Sequence, residues 1–454
     1  VTPSRFEPPD AGPATPVRFP PIARDRLSNG LRVWTIRHDA APVVTAYLVF
    51  DAGTADDPAD RPGLASIAAD LMGEGADGDN TIALADRLGR LGTRLEIGVG
   101  PDVTSVGFTS LAKHFSATLD VIGAVIRRPH LLPADLDRLR DLRLSRLGQM
   151  RHSANAVAER AFVSAIFPEH GYGHGSLGSS RSLRALTVDE ARAWLAQLMR
   201  PSRGIFIVGG DVTPEAVTTA AERAFGDWTD GPSPASPSSR GPFALATAAR
   251  VLLVDRPGAP QSVLRIGHLG PPRAADAYHP LVVLNSALGG QFTSRINRHL
   301  REHRGVTYGA RTSLDVRRDA GAFACETSVQ ADATASAVAD VVAEFRLVRE
   351  PGALTKDEVT RAVSSLTRGY VRGFETAGQI VRGAAELAAF HLADDTFDRF
   401  VPGVSAQDVE SVHHAAETFV HPDRTVAVVV GDATVCRPGL EALGWPIDVA
   451  APEF

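Results

Sequence analysis

Long apolar runs are missing from this 454-residue sequence. None approaches the ~18–20 residues that a bilayer-spanning helix requires, so an integral membrane protein built on such helices is excluded. Cysteine is nearly absent. Cys325 and Cys436 are the only two; they lie far apart and form no C-x-x-C unit, which argues against a thiolate metal or redox motif. Cys325 sits in Gly321-Ala-Phe-Ala-Cys-Glu-Thr327, which alternates like a strand and makes it a small core residue. Lysine is as scarce, with only Lys113 and Lys356 among 47 basic residues. There is no basic run, and the net charge of -6 offers nothing to a polyanion, which excludes nucleic-acid binding. Neither G-x-G-x-x-G spacing nor a P-loop lysine accompanies Gly209-Gly-Asp211 or Gly431-Asp432, so these are strand-end turns. Ser66 and Cys325 lack an evident base and no G-x-S-x-G elbow occurs, which argues against a serine or cysteine hydrolase.

What is present is ordinary in bulk and informative in arrangement. A hydrophobic content of 44% with 22% charge describes a folded globular chain, long enough for two or more cores. Pro201-Ser-Arg-Gly-Ile-Phe-Ile-Val-Gly-Gly-Asp211 has a counterpart in Pro422-Asp-Arg-Thr-Val-Ala-Val-Val-Val-Gly-Asp432. Leu132-Pro-Ala-Asp135 and Leu354-Thr-Lys-Asp357 match at nearly the same separation, which makes an internal repeat. Between the copies runs the Pro/Ser/Gly-rich stretch Thr229–Pro242, an extended linker. The expected organisation is an N-terminal extension (1–21), a first domain (22–228), the linker (229–249) and a second domain (250–454). Strand-like stretches at Leu31–Ile36, Val43–Phe50 and Leu95–Phe108 are interspersed with helical patterns rather than alternating with them, which predicts two α+β domains. Asp120–Ile126 fits a helix or a buried strand equally well. The chain opens on Val1 and a proline-dotted polar lead, so export to a bacterial periplasm is expected, with the cytoplasm as the alternative.

Asp51-Ala-Gly-Thr-Ala-Asp-Asp-Pro-Ala-Asp-Arg-Pro-Gly-Leu-Ala65 runs into a helical stretch and resembles the lead-in to the inverted zinc motif H-x-x-E-H of the pitrilysin/insulinase metallopeptidases. In that motif two histidines on one helical face bind zinc and the glutamate is the general base. Aligned on Gly63-Leu-Ala65, this chain has Ser66, Ala69 and Asp70 at those three places. The family's third ligand, a glutamate on a later helix, falls near Arg146 or Leu147, and no carboxylate lies between Leu142 and Gln149. The resemblance therefore implies a degenerate site with no zinc of its own. Asp70 becomes a polar helix-face residue or a pair for an arginine.

The second half keeps a different part of the pattern. Ala287-Leu-Gly-Gly-Gln-Phe-Thr-Ser-Arg-Ile-Asn-Arg-His-Leu-Arg-Glu-His-Arg-Gly-Val-Thr-Tyr-Gly-Ala310 is similar to the family's second-half signature, and Arg301 and Tyr308 stand at its arginine and tyrosine positions. The resemblance implies the mitochondrial-processing-peptidase type of fold, each domain a mainly antiparallel sheet with packed helices. It also implies a heterodimer in which a homologous partner with intact H-x-x-E-H holds the zinc. Tyr308 would donate to the tetrahedral oxyanion and Arg301 would orient the peptide backbone, both in trans. Peptide substrates are expected on a strand edge. A scaffold without chemistry, like a respiratory-complex core subunit, is the alternative, and a substrate-recruiting subunit a third reading. Each residue also has a bland explanation: arginine late in a helix suits the macrodipole, and tyrosine suits a strand start. His170-Gly-Tyr-Gly-His174 is a loop, because two glycines disfavour a helix, and His413-His414 are helical neighbours that face apart.

Overall fold

The computed structural model describes residues 12, 15–231, 240–451 and 454. Its strands are β1 (Ala23–Arg26), β2 (Arg32–Arg37), β3 (Val43–Phe50), β4 (Gly75–Ala76), β5 (Asp79–Asn80), β6 (Glu96–Val99), β7 (Thr104–Leu111), β8 (Gly204–Gly210), β9 (Arg250–Asp255), β10 (Gln261–Gly270), β11 (Thr307–Val316), β12 (Gly321–Gln330), β13 (Val426–Gly431) and β14 (Ile447–Val449). They form two six-stranded sheets, ordered β1-β2-β8-β3-β7-β6 and β11-β12-β10-β13-β9-β14, with β4 and β5 as a small hairpin. Read from opposite ends, the sheets share one plan apart from one edge, where β1 runs antiparallel to β2 but β14 parallel to β9. β8 lies between parallel β2 and antiparallel β3, and β13 lies between parallel β9 and antiparallel β10. The internal repeat is thus a repeat of topology, and the architecture is α+β in each half.

The repeated segments at 201–211 and 422–432 become β8 and β13, every residue of which is buried. Their unbroken apolar runs follow from cover on both faces. Part of that cover is exchanged between the halves. The Ala154–Ile166 helix of the first half packs on β10 and β13, while the Ala377–Phe390 helix of the second packs on β3 and β8. There Ile380, Val381, Ala384 and Ala388 close a cluster with Ile36, Val49, Ile205 and Ile207. A Cβ at Gly209 would stand 2.6 Å from Val381 Cγ2, so glycine is what lets this helix approach the strand.

Several local readings resolve. The 120–126 segment belongs to the Phe115–Arg127 helix, and Leu95–Phe108 divides into β6 and β7 rather than forming one strand. Cys325 is buried in β12, where burial pushes its thiol up to about 12 and leaves it unreactive. In the N-terminal extension, residues 1–11, 13 and 14 lie outside the described residues, but Phe19 docks on the second half. Its ring packs 5.0 Å from Phe397 and 5.6 Å from Phe374, and its N–H donates to Asp398. Residues 232–239 of the linker likewise lie outside the described set. Just past them, Arg240 is held at 3.1 Å from Asp56 and 3.0 Å from both Asp102 and Asp319. Tyr172 OH and the Arg318 N–H also donate to Asp102, so this knot ties residues of both halves to Arg240. Among the described residues no helix is long and apolar enough to cross a membrane.

One buried titratable group makes the fold sensitive to acid. His268 of β10 is 2% exposed; its Nε2 accepts from the His421 N–H at 3.0 Å, so Nδ1 carries the proton and donates to the Leu269 carbonyl. Burial lowers its pKa from 6.5 to about 4. Because the unfolded chain takes up this proton first, stability is full above the unfolded value and falls as pH drops from 6.5 toward 4. Between pH 7.5 and 5 the expected loss from His268 is about 2 kcal/mol. His170, His174, His279 and His421 are displaced in the same direction by burial. Urea unfolding at the two pH values, with His268→Gln showing the shallower pH dependence, checks this; equal slopes would remove the assignment.

Candidate functional site

The first place to inspect is the Leu64–Met72 helix, where the zinc motif's residue types are missing. Its start is set by Gly63, at φ 93, and by Asp57, whose two carboxylate oxygens accept from the Gly63 and Ala65 N–H groups at 2.7 Å each. Burial pushes the Asp57 carboxyl up to about 8, against those two donors. Ala69 is in the core. Ser66 and Asp70 both meet Arg143 from the Pro133–Arg151 helix: Nη2 donates to Ser66 Oγ at 2.9 Å and also to Asp70 Oδ2. Asp70 is therefore the partner of an arginine.

Arg143 is the residue that sequence reasoning passed over. Arg146 is exposed and Leu147 is buried; Arg143 lies one turn before Leu147 on the same face, which was the available signal. Its side chain is 5% exposed, so a buried cation joins the two helices here. A cation in that place does not fit a bound dication, and among the described residues no group of three or more His, Cys, Asp or Glu is arranged to hold a metal. Removing Asp70 should cost more than removing Arg143. Asp70→Asn leaves an almost buried guanidinium with a hydroxyl and an amide, a loss of about 2 kcal/mol, whereas Arg143→Met leaves a half-exposed carboxylate in water and costs about 1 kcal/mol. Denaturant unfolding of both variants tests the order.

Arg301 and Tyr308 stand elsewhere, on two irregular segments. Ser286–Gly290 and Arg298–His303 are both π-helical, a rare backbone form that concentrates at functional sites. Arg301 is in the second; its guanidinium lies 3.6 Å over the Phe292 ring and Nη2 donates to Glu302 at 2.8 Å. Tyr308 is on a β-bulge. Thr307 pairs with Val329 and Ala310 with Thr327, so two residues of β11 oppose one of β12. Thr327 Oγ1 donates to the Gly309 carbonyl at 2.9 Å and Thr307 Oγ1 accepts from the Gly309 N–H at 3.1 Å, which holds the bulge. The bulge turns Tyr308 outward until it is 94% exposed. No described residue forms a hydrogen bond to its hydroxyl.

Tyr308 and Phe292 line a cleft of about 880 Å³ with β10, β12 and the start of the exchanged Ala154–Ile166 helix. Across its floor Glu159, Arg265, Glu326 and Arg311 pair in turn, alternating in sign. Burial raises the Glu159 pKa, and Arg265 opposes that shift. The glycine-rich loop comes close to β11, since a Cβ at Gly289 would meet Thr312 at 2.5 Å. Ser66, Asp70 and Arg143 do not line this cleft, so the structure does not bring the two regions of sequence interest together within it.

The letters H-x-x-E-H do occur in the chain, at His299-Leu-Arg-Glu-His303, overlapping Arg301. Here they do not build a ligand set. His299 Nε2 faces Asp340 at 3.6 Å, Arg304 pairs with the same carboxylate, and Glu302 turns to Arg301 and Arg298. His170 is a loop residue whose Nδ1 accepts from the Tyr172 N–H. His413 bonds the Arg349 carbonyl from within the Val409–Phe419 helix.

Both halves of the chain resemble known proteins. Residues 32–179 match the family model described as insulinase (peptidase family M16), and residues 185–366 match the peptidase M16 inactive domain. An uncharacterised zinc protease of Mycobacterium tuberculosis is 25% identical over 366 residues, covering 80% of this chain and 82% of the relative. The crystal structure of a peptidase M16 inactive domain from Pseudomonas fluorescens superposes with a TM-score of 0.84 at 21% identity, covering 91% of this chain and 98% of that one. A protease from Helicobacter pylori gives 0.85 at 15% identity, with 91% and 100% covered. With its two repeated halves matched in order by the family's two domain models, the chain belongs to the insulinase family of peptidases, family M16.

Proposed function

We propose that this chain is the non-zinc subunit of a heterodimeric metallopeptidase acting on peptides. A homologous partner with intact H-x-x-E-H supplies the zinc, and Arg301 and Tyr308 act across the interface. The observation that carries the reading is the contrast between the two regions. A guanidinium stands among the residues that replace the metal ligands, while Tyr308 is held outward on a bulge with its hydroxyl open, at 94% exposure. A packing role would bury that ring. Peptide hydrolysis builds a tetrahedral oxyanion, and a fixed phenolic donor stabilises it. A guanidinium stacked on Phe292, with one Nη2 donor given to Glu302, keeps its remaining N–H groups for a peptide carbonyl or carboxylate.

On this reading the chain has no peptidase activity alone. Mixed with a zinc-bearing homologue, it should raise cleavage of a quenched fluorescent peptide well above that of either protein, and chelation should abolish the gain. Cleavage by this chain alone, surviving repurification, would sink the subunit reading; a stable complex without activity would favour a scaffold.

A further inference from the structure

Arg301 and Tyr308 belong to different segments, and one buried side chain joins what holds them. Asn297 is 4% exposed. Its Nδ2 donates to the Phe292 carbonyl at 2.5 Å, and its Oδ1 accepts from the Ala310 N–H at 2.9 Å. The first bond fixes the loop under the Phe292 ring, on which Arg301 is stacked. That ring is 71% exposed, so its place is set by the loop backbone more than by core packing. The second bond fixes the end of the bulge that presents Tyr308.

We propose that Asn297 is a positioning residue that sets the separation of Arg301 and Tyr308 by bridging the glycine-rich loop to the β11 bulge. The inference rests on the trans-acting role of that pair. The chemistry selects asparagine: one end must donate and the other accept, at nearly full burial, so the amide has a single satisfied orientation. Aspartate keeps the acceptor for Ala310 and sets a carboxylate oxygen against the Phe292 carbonyl. Leucine keeps the approximate shape and loses both bonds. The other polar contact of Arg301, with neighbouring Glu302, does not tie it to Tyr308.

The test uses the full chain mixed with a zinc-bearing homologue and a quenched fluorescent peptide. Asn297→Leu, which gives up the Ala310 bond on the Tyr308 side, should lower kcat at least about tenfold, as expected for misplacement of a group that acts in the transition state, while Asn297→Asp, which keeps that bond and disturbs the Phe292 side under Arg301, should act first on KM. In a Tyr308→Phe background Asn297→Leu should add no further loss of kcat, a coupling that general destabilisation would not produce. Unchanged kcat in Asn297→Leu while Tyr308→Phe is damaging, or losses that multiply, would overturn the positioning role alone. If Tyr308→Phe is harmless, the trans reading fails. The bridge is then read separately by amide exchange in the uncomplexed chain: Ala310 should exchange at least about tenfold faster in Asn297→Leu, and an unchanged rate overturns the bridge.

Discussion

Tyr308→Phe is expected to lower kcat of the proposed heterodimer by about 10²–10³-fold, the effect of deleting one preorganised donor to an oxyanion. The substitution removes a single oxygen to which no described residue hydrogen-bonds, from a side chain that is 94% exposed. Folding should therefore be unaffected, and thermal unfolding of the variant should match the parent. KM should move little, because the developing oxyanion exists only after attack. Arg301→Ala should instead raise KM first, since on the proposed reading that side chain orients the bound backbone. Its side chain is 19% exposed, stacked on Phe292 and paired with Glu302, so Arg301→Ala should also cost about 1 kcal/mol of stability through lost packing. A Tyr308→Phe complex with parental kcat would remove the oxyanion role and leave recruitment or scaffolding. The same fall in kcat with a matching loss of complex formation would mean that Tyr308 is an interface residue.

Much of this was legible because periodicity and turn chemistry are local. The 201–211 and 422–432 repeats exposed the shared topology, since a fully covered strand must be apolar throughout and a strand-end glycine-aspartate turn is short. Arg301 and Tyr308 stood out as candidates because more than twenty consecutive residues carry the resemblance. What stayed hidden depends on contacts distant in sequence. Arg143 meets Asp70 across 73 positions, and Arg240 meets Asp56 across 184. Nothing in the Ala154–Ile166 or Ala377–Phe390 helices says that each covers the other half's sheet. An amphipathic stripe states that a face is buried but not against what. The bulge at Tyr308 was hidden for a related reason: register slips are set by side-chain bonds such as Thr327 to Gly309, which pair strands rather than neighbours.

Arg240→Met is expected to be the most destabilising single change outside the hydrophobic cores, by about 3–5 kcal/mol at neutral pH, the range found when one partner of a buried charge pair is removed. Asp56 and Asp102 are 8% and 4% exposed, and the guanidinium stands 3.1 Å from the first and 3.0 Å from the second. Methionine fills much of the volume and removes a guanidinium that Asp56, Asp102 and Asp319 share. Arg240→Lys should rescue little, because one ammonium lacks the planar fork that reaches several carboxylates at once. The deficit should shrink in acid. Without Arg240 the buried carboxylates lose their counter-charge, a cost that only the charged form carries, so the gap between variant and parent closes as pH falls. Comparing the two proteins at each pH cancels the loss from His268, which both share. Denaturant unfolding at pH 7.5 and pH 5, followed separately by a probe in each half, would show the difference. A gap that is constant or widens in acid would mean that Arg240 stabilises by packing rather than by its charge. Because the knot joins Asp56, Asp102 and Tyr172 of the first half to Arg318 and Asp319 of the second, the two probes should also part in the variant, one half unfolding before the other.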